Sequence, residues 1–109
     1  MNVHKEVCPV TETIKLIGKK WNLLILKNLC ENPTSFNKLK KNLAGISSKT
    51  LSESLSYLRK EEFISRTVKI NSPIRVEYSI TKKAEELKPV LEDMGRWGKK
   101  WIIKKTKKK

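Results

Sequence analysis

The apolar residues of this chain change period twice, and their order constrains the fold more than any other feature. Up to residue 61 they recur every three or four positions, which is typical of helices that bury one face. Between residues 64 and 80 they alternate with polar residues, as in a β-hairpin. Helical spacing returns after residue 81. Such a chain lacks the number of strands that a sandwich or a barrel needs.

Two helices are predicted before residue 34. Thr11 is a suitable N-cap for a short helix over residues 10–18. Residues 21–30 are apolar on nearly all sides, which favours a largely buried helix over a strand at this length. Asn32-Pro33 ends that helix, because proline pushes the residue before it away from helical angles.

Residues 35–61 have the pattern of a helix-turn-helix. Ser35 precedes a helix over residues 36–43, and Ala44-Gly45-Ile46 makes a tight break. Ser47-Ser48 then offers an N-cap for a helix to about residue 61. Two helices joined by a short turn that contains glycine are the elements of this motif. The apolar arc of the second helix comprises Leu51, Leu55 and Leu58.

Residues 63–80 are predicted to form a hairpin, or wing. The two alternating runs lie on either side of Asn71-Ser72-Pro73, which is typical turn sequence. Arg66 and Glu77 are expected to pair across the two strands.

Thr81 is predicted to cap a final helix over residues 82–103. Pro89 removes one backbone donor and should kink or split this helix near residues 85–88. A lysine-rich tail follows at residues 104–109. The element order predicts an α+β, mostly helical fold: one winged helix-turn-helix domain over residues 1–109 with a two-stranded wing.

The net charge of +14 comes from 25 Lys and Arg against 11 Asp and Glu. Seven of these cations and none of the acids lie in residues 99–109, and the rest of the chain still carries +7. This excess predicts a polyanionic partner, with nucleic acid favoured and a membrane surface as the rival. No apolar run approaches the roughly 18 residues of a membrane span, and the N-terminus lacks a signal-peptide core.

Cysteine and histidine are scarce, with two Cys and one His. They are too few for a common structural zinc site or a disulfide framework, which predicts an intracellular, reducing compartment. No Ser-His-Asp set, phosphate-binding loop or metal-associated acid pair is visible. We therefore expect no metal, no cofactor and no enzymatic activity.

Eight short segments between Cys8 and Gly98 carry a family resemblance in their order and spacing. They are Cys8-Pro9-Val10; Ile17-Gly18 with Lys20-Trp21; Phe36-Asn37 with Leu39; Gly45-Ile46-Ser47 with Lys49-Thr50-Leu51; Leu55 with Leu58; Ile64 with Arg66; Pro73 with Arg75-Val76-Glu77-Tyr78 and Thr81; and Pro89-Val90-Leu91 with Trp97-Gly98. In these segments the chain resembles the HxlR-type winged-helix transcriptional regulators.

Four positions depart from the pattern of that family. Lys19 stands in place of the second glycine of a Gly-Gly-Lys-Trp turn, and Lys38 replaces an acid. Glu62 stands where the family has a glycine at the end of the second helix of the helix-turn-helix. A non-glycine residue in the left-handed conformation at that position costs about 1 kcal/mol, unless Glu62 extends the helix. Ala84 replaces a further glycine. None of the four changes how the protein would contact bases, and the two lysines make the surface more basic.

The second helix of the helix-turn-helix is the strongest candidate site, because a helix fits the major groove and its first turns reach base edges. Lys49 can donate to guanine O6 and N7, and Glu53 can accept from cytosine N4. The alternative is a solvated face of a helix packed on the core, and the resemblance favours DNA contact. The candidate residues are Ser47, Ser48, Lys49, Thr50, Ser52, Glu53 and Ser56.

The wing and the first helix of the motif are candidates for contact with phosphates or the minor groove. The alternative for the hairpin is a structural role in which Arg75 pairs with Glu77 or another neighbour. The lysine tail would bind any polyanion without selecting a sequence. The candidate residues are Lys38, Lys40, Lys41, Lys69, Asn71, Ser72 and Arg75.

The last helix carries more apolar surface than one small core requires. The resemblance implies a homodimer formed through the first and last helices. The expected interface residues are Leu91, Met94, Trp97 and Trp101.

The resemblance also implies redox or electrophile sensing at Cys8, since the cysteine of this segment has that role in some family members. His4 and Lys5 lie close in sequence and would favour the thiolate. Cys30 falls in the predicted buried helix, where it would act as an inert small hydrophobe.

The favoured function is a dimeric, sequence-specific regulator of transcription that binds double-stranded DNA. It is expected to act in a prokaryotic cytoplasm in association with the nucleoid and without membrane contact. The sequence leaves open whether a small molecule or an oxidant induces it. A sequence-neutral, chromatin-like or RNA-binding protein is the first alternative. A module whose helix-turn-helix docks another protein is the second.

Overall fold

The computed structural model describes residues 7–70 and 73–103. The predicted order of helices, hairpin and helix is confirmed. The elements are α1 (Pro9–Ile17), α2 (Lys20–Glu31), α3 (Phe36–Asn42), α4 (Ser48–Lys60), β1 (Ile64–Lys69), β2 (Arg75–Ile80), α5 (Lys82–Glu85) and α6 (Lys88–Gly98), with a π-helical turn over Lys99–Ile103.

The start of α1 differs from the prediction. Cys8, and not Thr11, is the N-cap, and Thr11 lies inside the first turn. Pro9 explains the earlier start, because its fixed φ suits the first helical position and its missing N–H has no helical partner to lose there.

One apolar core holds the helices together, with α2 at its centre. Ile25 and Leu26 of α2 are almost fully buried, as is Leu39 of α3. The predicted arc of α4 is buried as well, and these three leucines pack in the same cluster. Trp21 is half-buried at the edge of this core.

The hairpin is a two-stranded antiparallel sheet in which Arg66 lies opposite Tyr78, and Thr67 lies opposite Glu77. The expected Arg66–Glu77 pair is therefore wrong, because neighbouring positions on a strand point to opposite faces. The Glu77 carboxylate instead lies 3.5 Å from Nζ of Lys69.

A single residue of the α2–α3 connection extends this sheet. Thr34 forms a bridge with Tyr78, in which each backbone N–H donates to the other residue's carbonyl at 2.9 and 2.8 Å. Both residues are buried. The bridge ties the wing to the segment that leads into the helix-turn-helix.

The last helix is split at the predicted place. Thr81 caps α5, where its hydroxyl accepts a hydrogen bond from the Ala84 N–H at 3.4 Å. Pro89 lies in the first turn of α6, which begins three residues after α5 ends. The basic tail at residues 104–109 lies outside the described residues.

Glu62 ends α4 in the left-handed conformation, with φ of 64°. Its N–H donates to the Arg59 carbonyl at 2.9 Å, and the N–H of Phe63 donates to the Leu58 carbonyl at 2.8 Å. This pair of bonds is the Schellman motif, and Phe63 is buried in the core beyond it. The helix therefore stops at the place where the family pattern has glycine, and Glu62 bears the strain.

Glu62→Gly should increase the free energy of unfolding by about 0.5–1 kcal/mol. Glycine relieves the left-handed strain of about 1–2 kcal/mol, and part of the gain is offset by its greater freedom in the unfolded chain. Urea denaturation followed by circular dichroism measures the change. Glu61→Gly is the matched control, because Glu61 has φ of −85° and should lose stability. Equal effects of the two variants would contradict the assigned strain.

Candidate nucleic-acid interface

Ser47 fixes the first turn of α4. Its Oγ accepts from the Thr50 N–H at 3.0 Å and donates to the Thr50 hydroxyl at 3.0 Å. Both side chains of this predicted set are therefore engaged in capping, and Thr50 is half-buried. Their contribution to a ligand surface would be to hold the helix end in place.

The other predicted members of α4 share one solvent-exposed face, opposite the buried leucines. Leucines at i, i+4 and i+7 occupy one arc of the helix, so the polar residues between them are left on the remaining, exposed surface. This face is the part of the helix-turn-helix that is free to enter a groove. Its residues are Ser48, Lys49, Ser52, Glu53 and Ser56.

Lys49 and Glu53 lie next to each other on this face, with Nζ and Oε2 3.8 Å apart. Both side chains are largely exposed, so the pair adds little to stability. Either charge can therefore exchange its neighbour for a base edge at small cost. Their role in base contact stays a prediction.

The α3 helix presents Lys38, Lys40 and Lys41, all exposed. The Ser35 hydroxyl caps the helix by accepting from the Lys38 N–H at 3.2 Å, and fully buried Leu39 anchors it. This helix contains no acid, and its lysines are distributed around the exposed part of its surface on both sides of Leu39.

Lys69 and Arg75 lie opposite each other at the outer end of the sheet, and both are exposed. Glu77 is paired with Lys69, so the alternative of an Arg75–Glu77 pair is not the arrangement found. The predicted wing residues Asn71 and Ser72 lie outside the described residues.

The wing also carries exposed aliphatic residues that were not among the predicted DNA-contact residues. Val68, Ile70 and Ile74 are exposed, and Ile70 retains 80% of its surface. The alternating pattern indicated a buried face here, but in β1 only Ile64 is buried. The outer end of the sheet extends beyond the core: Val68 lies opposite Val76, and Ile70 and Ile74 stay exposed.

Basic residues are not all available for a polyanion. Nζ of Lys83 donates to the Glu61 carbonyl at 2.8 Å and lies 4.5 Å from the Phe63 ring centroid. It thus complements the carboxyl end of α4, where a cation is favourable. No sequence signal near Lys83 distinguished this structural role.

Most of the predicted dimer residues are exposed. Trp97 and Trp101 retain 60% and 55% of their surface, and Met94 is exposed on the same helix, whereas Leu91 packs partly against the core. Val10 and Ile14 of α1 are also exposed. Two apolar helix faces are therefore uncovered in the single chain.

Cys8 is exposed at the amino end of α1. The Thr11 hydroxyl, followed by the backbone N–H groups of Thr11 and Val10, lowers the pKa of its thiol, although the sulfur makes no full capping hydrogen bond. The predicted neighbours His4 and Lys5 lie outside the described residues. Burial raises the pKa of the half-buried Cys30 thiol, and its role as an inert small hydrophobe stays a prediction.

Within residues 7–70 and 73–103, no group of three or more His, Cys, Asp or Glu side chains could hold a metal ion. In the same ranges, no helix has both the length and the apolar character to cross a membrane.

Comparison with known proteins matches residues 16–106 to the model of the HxlR-like helix-turn-helix family. The uncharacterized HTH-type transcriptional regulator YvaP of Bacillus subtilis (strain 168) is 34% identical over 100 residues, which cover 91% of this chain and 93% of YvaP.

Two solved structures share the fold. The reduced form of the transcriptional regulator YodB from B. subtilis superposes with a TM-score of 0.77 and 33% identity, and covers 88% of this chain and 95% of YodB. The oxidized form of the redox regulator HypR superposes with a TM-score of 0.79 and 29% sequence identity, and the match covers 85% of this chain and 96% of HypR.

These likenesses agree with the exposed face of α4 and the predicted motif segments. They also agree with the expectation of a regulator and not an enzyme. The chain belongs to the HxlR-like helix-turn-helix family of DNA-binding transcriptional regulators.

Proposed function

We propose that this protein is a dimeric, sequence-specific transcriptional regulator in which α4 enters the major groove of double-stranded DNA and the wing contacts the backbone or the minor groove. The observation that carries the proposal is the exposed polar face of α4, held by three buried leucines and capped by Ser47. A helix held in this way presents its amino-terminal turns to base edges.

Base selection and affinity are assigned to different residues. Lys49 and Glu53 are exposed within one turn of each other and match the hydrogen-bonding edges of guanine and cytosine. Lys38, Lys40 and Lys41 on α3 supply phosphate contacts, which position the protein without selecting a sequence. Lys69 and Arg75 do the same from the wing.

The dimer is formed by the uncovered faces of α1 and α6. Trp97, Trp101 and Met94 of one protomer bury apolar surface against the partner, and Val10 and Ile14 of α1 add to that surface. A two-fold axis would place two α4 helices about one turn of DNA, or ~34 Å, apart. The binding site would then be a pseudo-palindrome.

The dimer would respond to oxidants or electrophiles through Cys8. The thiol is exposed, its pKa is lowered, and it begins the helix assigned to the dimer interface. YodB has been solved in a reduced form and HypR is a redox regulator, and their similarity to this chain supports the role. A modification at Cys8 would shift α1 and thereby the spacing of the two α4 helices.

Lys49→Ala should weaken binding to the selected operator by about 1–3 kcal/mol and relax the preference at one base position. The operator is first selected from fragments of the source genome, and affinities are measured by fluorescence anisotropy at several salt concentrations. Lys60→Ala is the matched control, because Lys60 is an exposed lysine at the other end of the same helix.

Removal of residues 104–109 should weaken binding to all duplexes alike. The slope of log affinity against log salt concentration should become shallower by about 0.9 for each phosphate that the tail neutralises.

If wild-type protein bound every duplex equally, the sequence-neutral alternative would replace the present proposal. Absence of any duplex binding would favour a module that docks protein.

The double substitution of Trp97 and Trp101 by Ala should produce monomers with reduced affinity for the full operator. Each indole is more than half exposed in the single chain, so its removal affects the partner contact more than the core. Sedimentation velocity measures the assembly, and circular dichroism checks that the helices persist. An unchanged dimer would place the interface elsewhere.

Cys8 should be alkylated by iodoacetamide with a pH midpoint below that of an ordinary thiol, and Cys30 with a midpoint above it. The lowered pKa of Cys8 keeps more thiolate at neutral pH, whereas burial favours the protonated Cys30 thiol. Peptide mass spectrometry separates the two rates, and denaturant should abolish their difference.

Diamide should reduce operator affinity in wild-type protein and not in Cys8→Ser. Equal affinity of the wild-type protein before and after treatment would remove the sensing role.

A further inference from the structure

A cleft of about 330 Å³ lies between the α1–α2 turn and the inner edge of α4. One wall is formed by the end of α1 and the start of α2, and the other by Thr50, Glu53, Ser54 and Tyr57 of α4. The cleft therefore adjoins the helix assigned to base contact, and Glu53 belongs both to its lining and to the exposed face of that helix. Neither the family match nor the related structures assign a ligand to it.

The cleft walls suit a flat apolar group. Trp21 and Tyr57 supply two aromatic side chains, and Leu16 contributes aliphatic surface. The Tyr57 hydroxyl donates to the Leu16 carbonyl at 2.9 Å, which fixes this ring against α1. Aromatic side chains held in this way favour a planar aromatic partner.

The rim of the cleft is positively charged. Lys15, Lys19 and Lys20 border it, and Nζ of Lys15 is paired with the Glu12 carboxylate at 3.3 Å. Glu53 is the single carboxylate among the lining residues, and it lies beside Lys49. Nζ of Lys20 is 4.6 Å from the Trp21 ring centroid, so positive charge and an aromatic face coincide.

Two further features of α2 favour an anion here. The 12-residue helix begins at the cleft, and its N-cap Lys19 makes no side-chain capping hydrogen bond, so the first backbone N–H groups and the helix dipole contribute positive potential. Asn22, only 3% exposed, also lines the cleft and supplies a polar group inside it.

We infer that the cleft binds a small planar aromatic anion, such as an aryl carboxylate, and that binding lowers affinity for operator DNA. The carboxylate would lie near Lys19 and Lys20 at the start of α2, and the ring between Trp21 and Tyr57. The regulatory half of this inference rests on the proposed function. The ligand would contact α1–α2 and α4 together, so a shift between these elements would move the DNA-facing residues, and its charge would repel nearby phosphates.

Benzoate is the probe, and three compounds define what is recognised: benzamide lacks the charge, cyclohexanecarboxylate lacks the flat ring, and inorganic phosphate lacks both ring and carboxylate. Titrations of the full chain without DNA are followed by the NMR signals of the Trp21 indole N–H and of Tyr57. Benzoate should bind saturably and benzamide about tenfold more weakly. Saturating benzoate should reduce operator affinity about fivefold in a separate anisotropy measurement.

Lys19→Ala removes a rim charge, and Ser54→Leu fills the cleft from α4; both should abolish or strongly weaken benzoate binding. Lys60→Ala is the control with unchanged benzoate binding, because this exposed lysine does not line the cleft. Circular dichroism confirms that each variant is folded.

Equal binding of all four compounds, or none by benzoate, would overturn the site. If Lys19→Ala weakened DNA binding while benzoate did not bind, the rim lysines would instead contact DNA phosphates. Saturable benzoate binding without an effect on operator affinity would leave the site and overturn its regulatory role. Failure of the protein to bind any duplex would overturn the proposed function, and the titration without DNA would still decide whether the cleft binds benzoate.

Discussion

The packing of the α4 leucines on α2 is the constraint on which the rest of the structure depends. Leu51 and Leu58 are fully buried against a cluster that includes Ile25 and Leu26, so α4 cannot rotate about its axis without exposing apolar surface. That restriction keeps one polar face of the helix in solvent. A weaker core would leave the same residues without a defined direction, and base selection requires one.

Both ends of α4 are also fixed, but by different means. The Ser47 cap is local and holds the first turn through contacts with Thr50. The other end depends on distant residues, since Lys83 donates to the Glu61 carbonyl and the Thr81 hydroxyl donates to the Glu62 carbonyl at 2.7 Å. The strained Glu62 is thereby held where the chain must leave the helix and enter β1.

Net charge alone is a poor guide to where a polyanion would bind. Some cations have structural partners, as Lys83 does at the end of α4. Others are grouped by the fold beyond what their sequence positions show, as at the rim of the cleft beside α4, where Lys15 joins the adjacent Lys19 and Lys20. The α3 lysines are the exception, because they lie within four residues of the sequence and all three are exposed.

Sequence alone was sufficient for several features that depend on residues three or four positions apart, although it misplaced the N-cap of α1 at Thr11 instead of Cys8. The caps at Ser35 and Ser47 and the split before Pro89 were predictable, because each depends on local backbone hydrogen bonding. The register that separates Arg66 from Glu77 was not, since it depends on how two strands meet. Only the tertiary structure brings the α1–α2 turn beside α4, because burial of distant apolar side chains decides that contact.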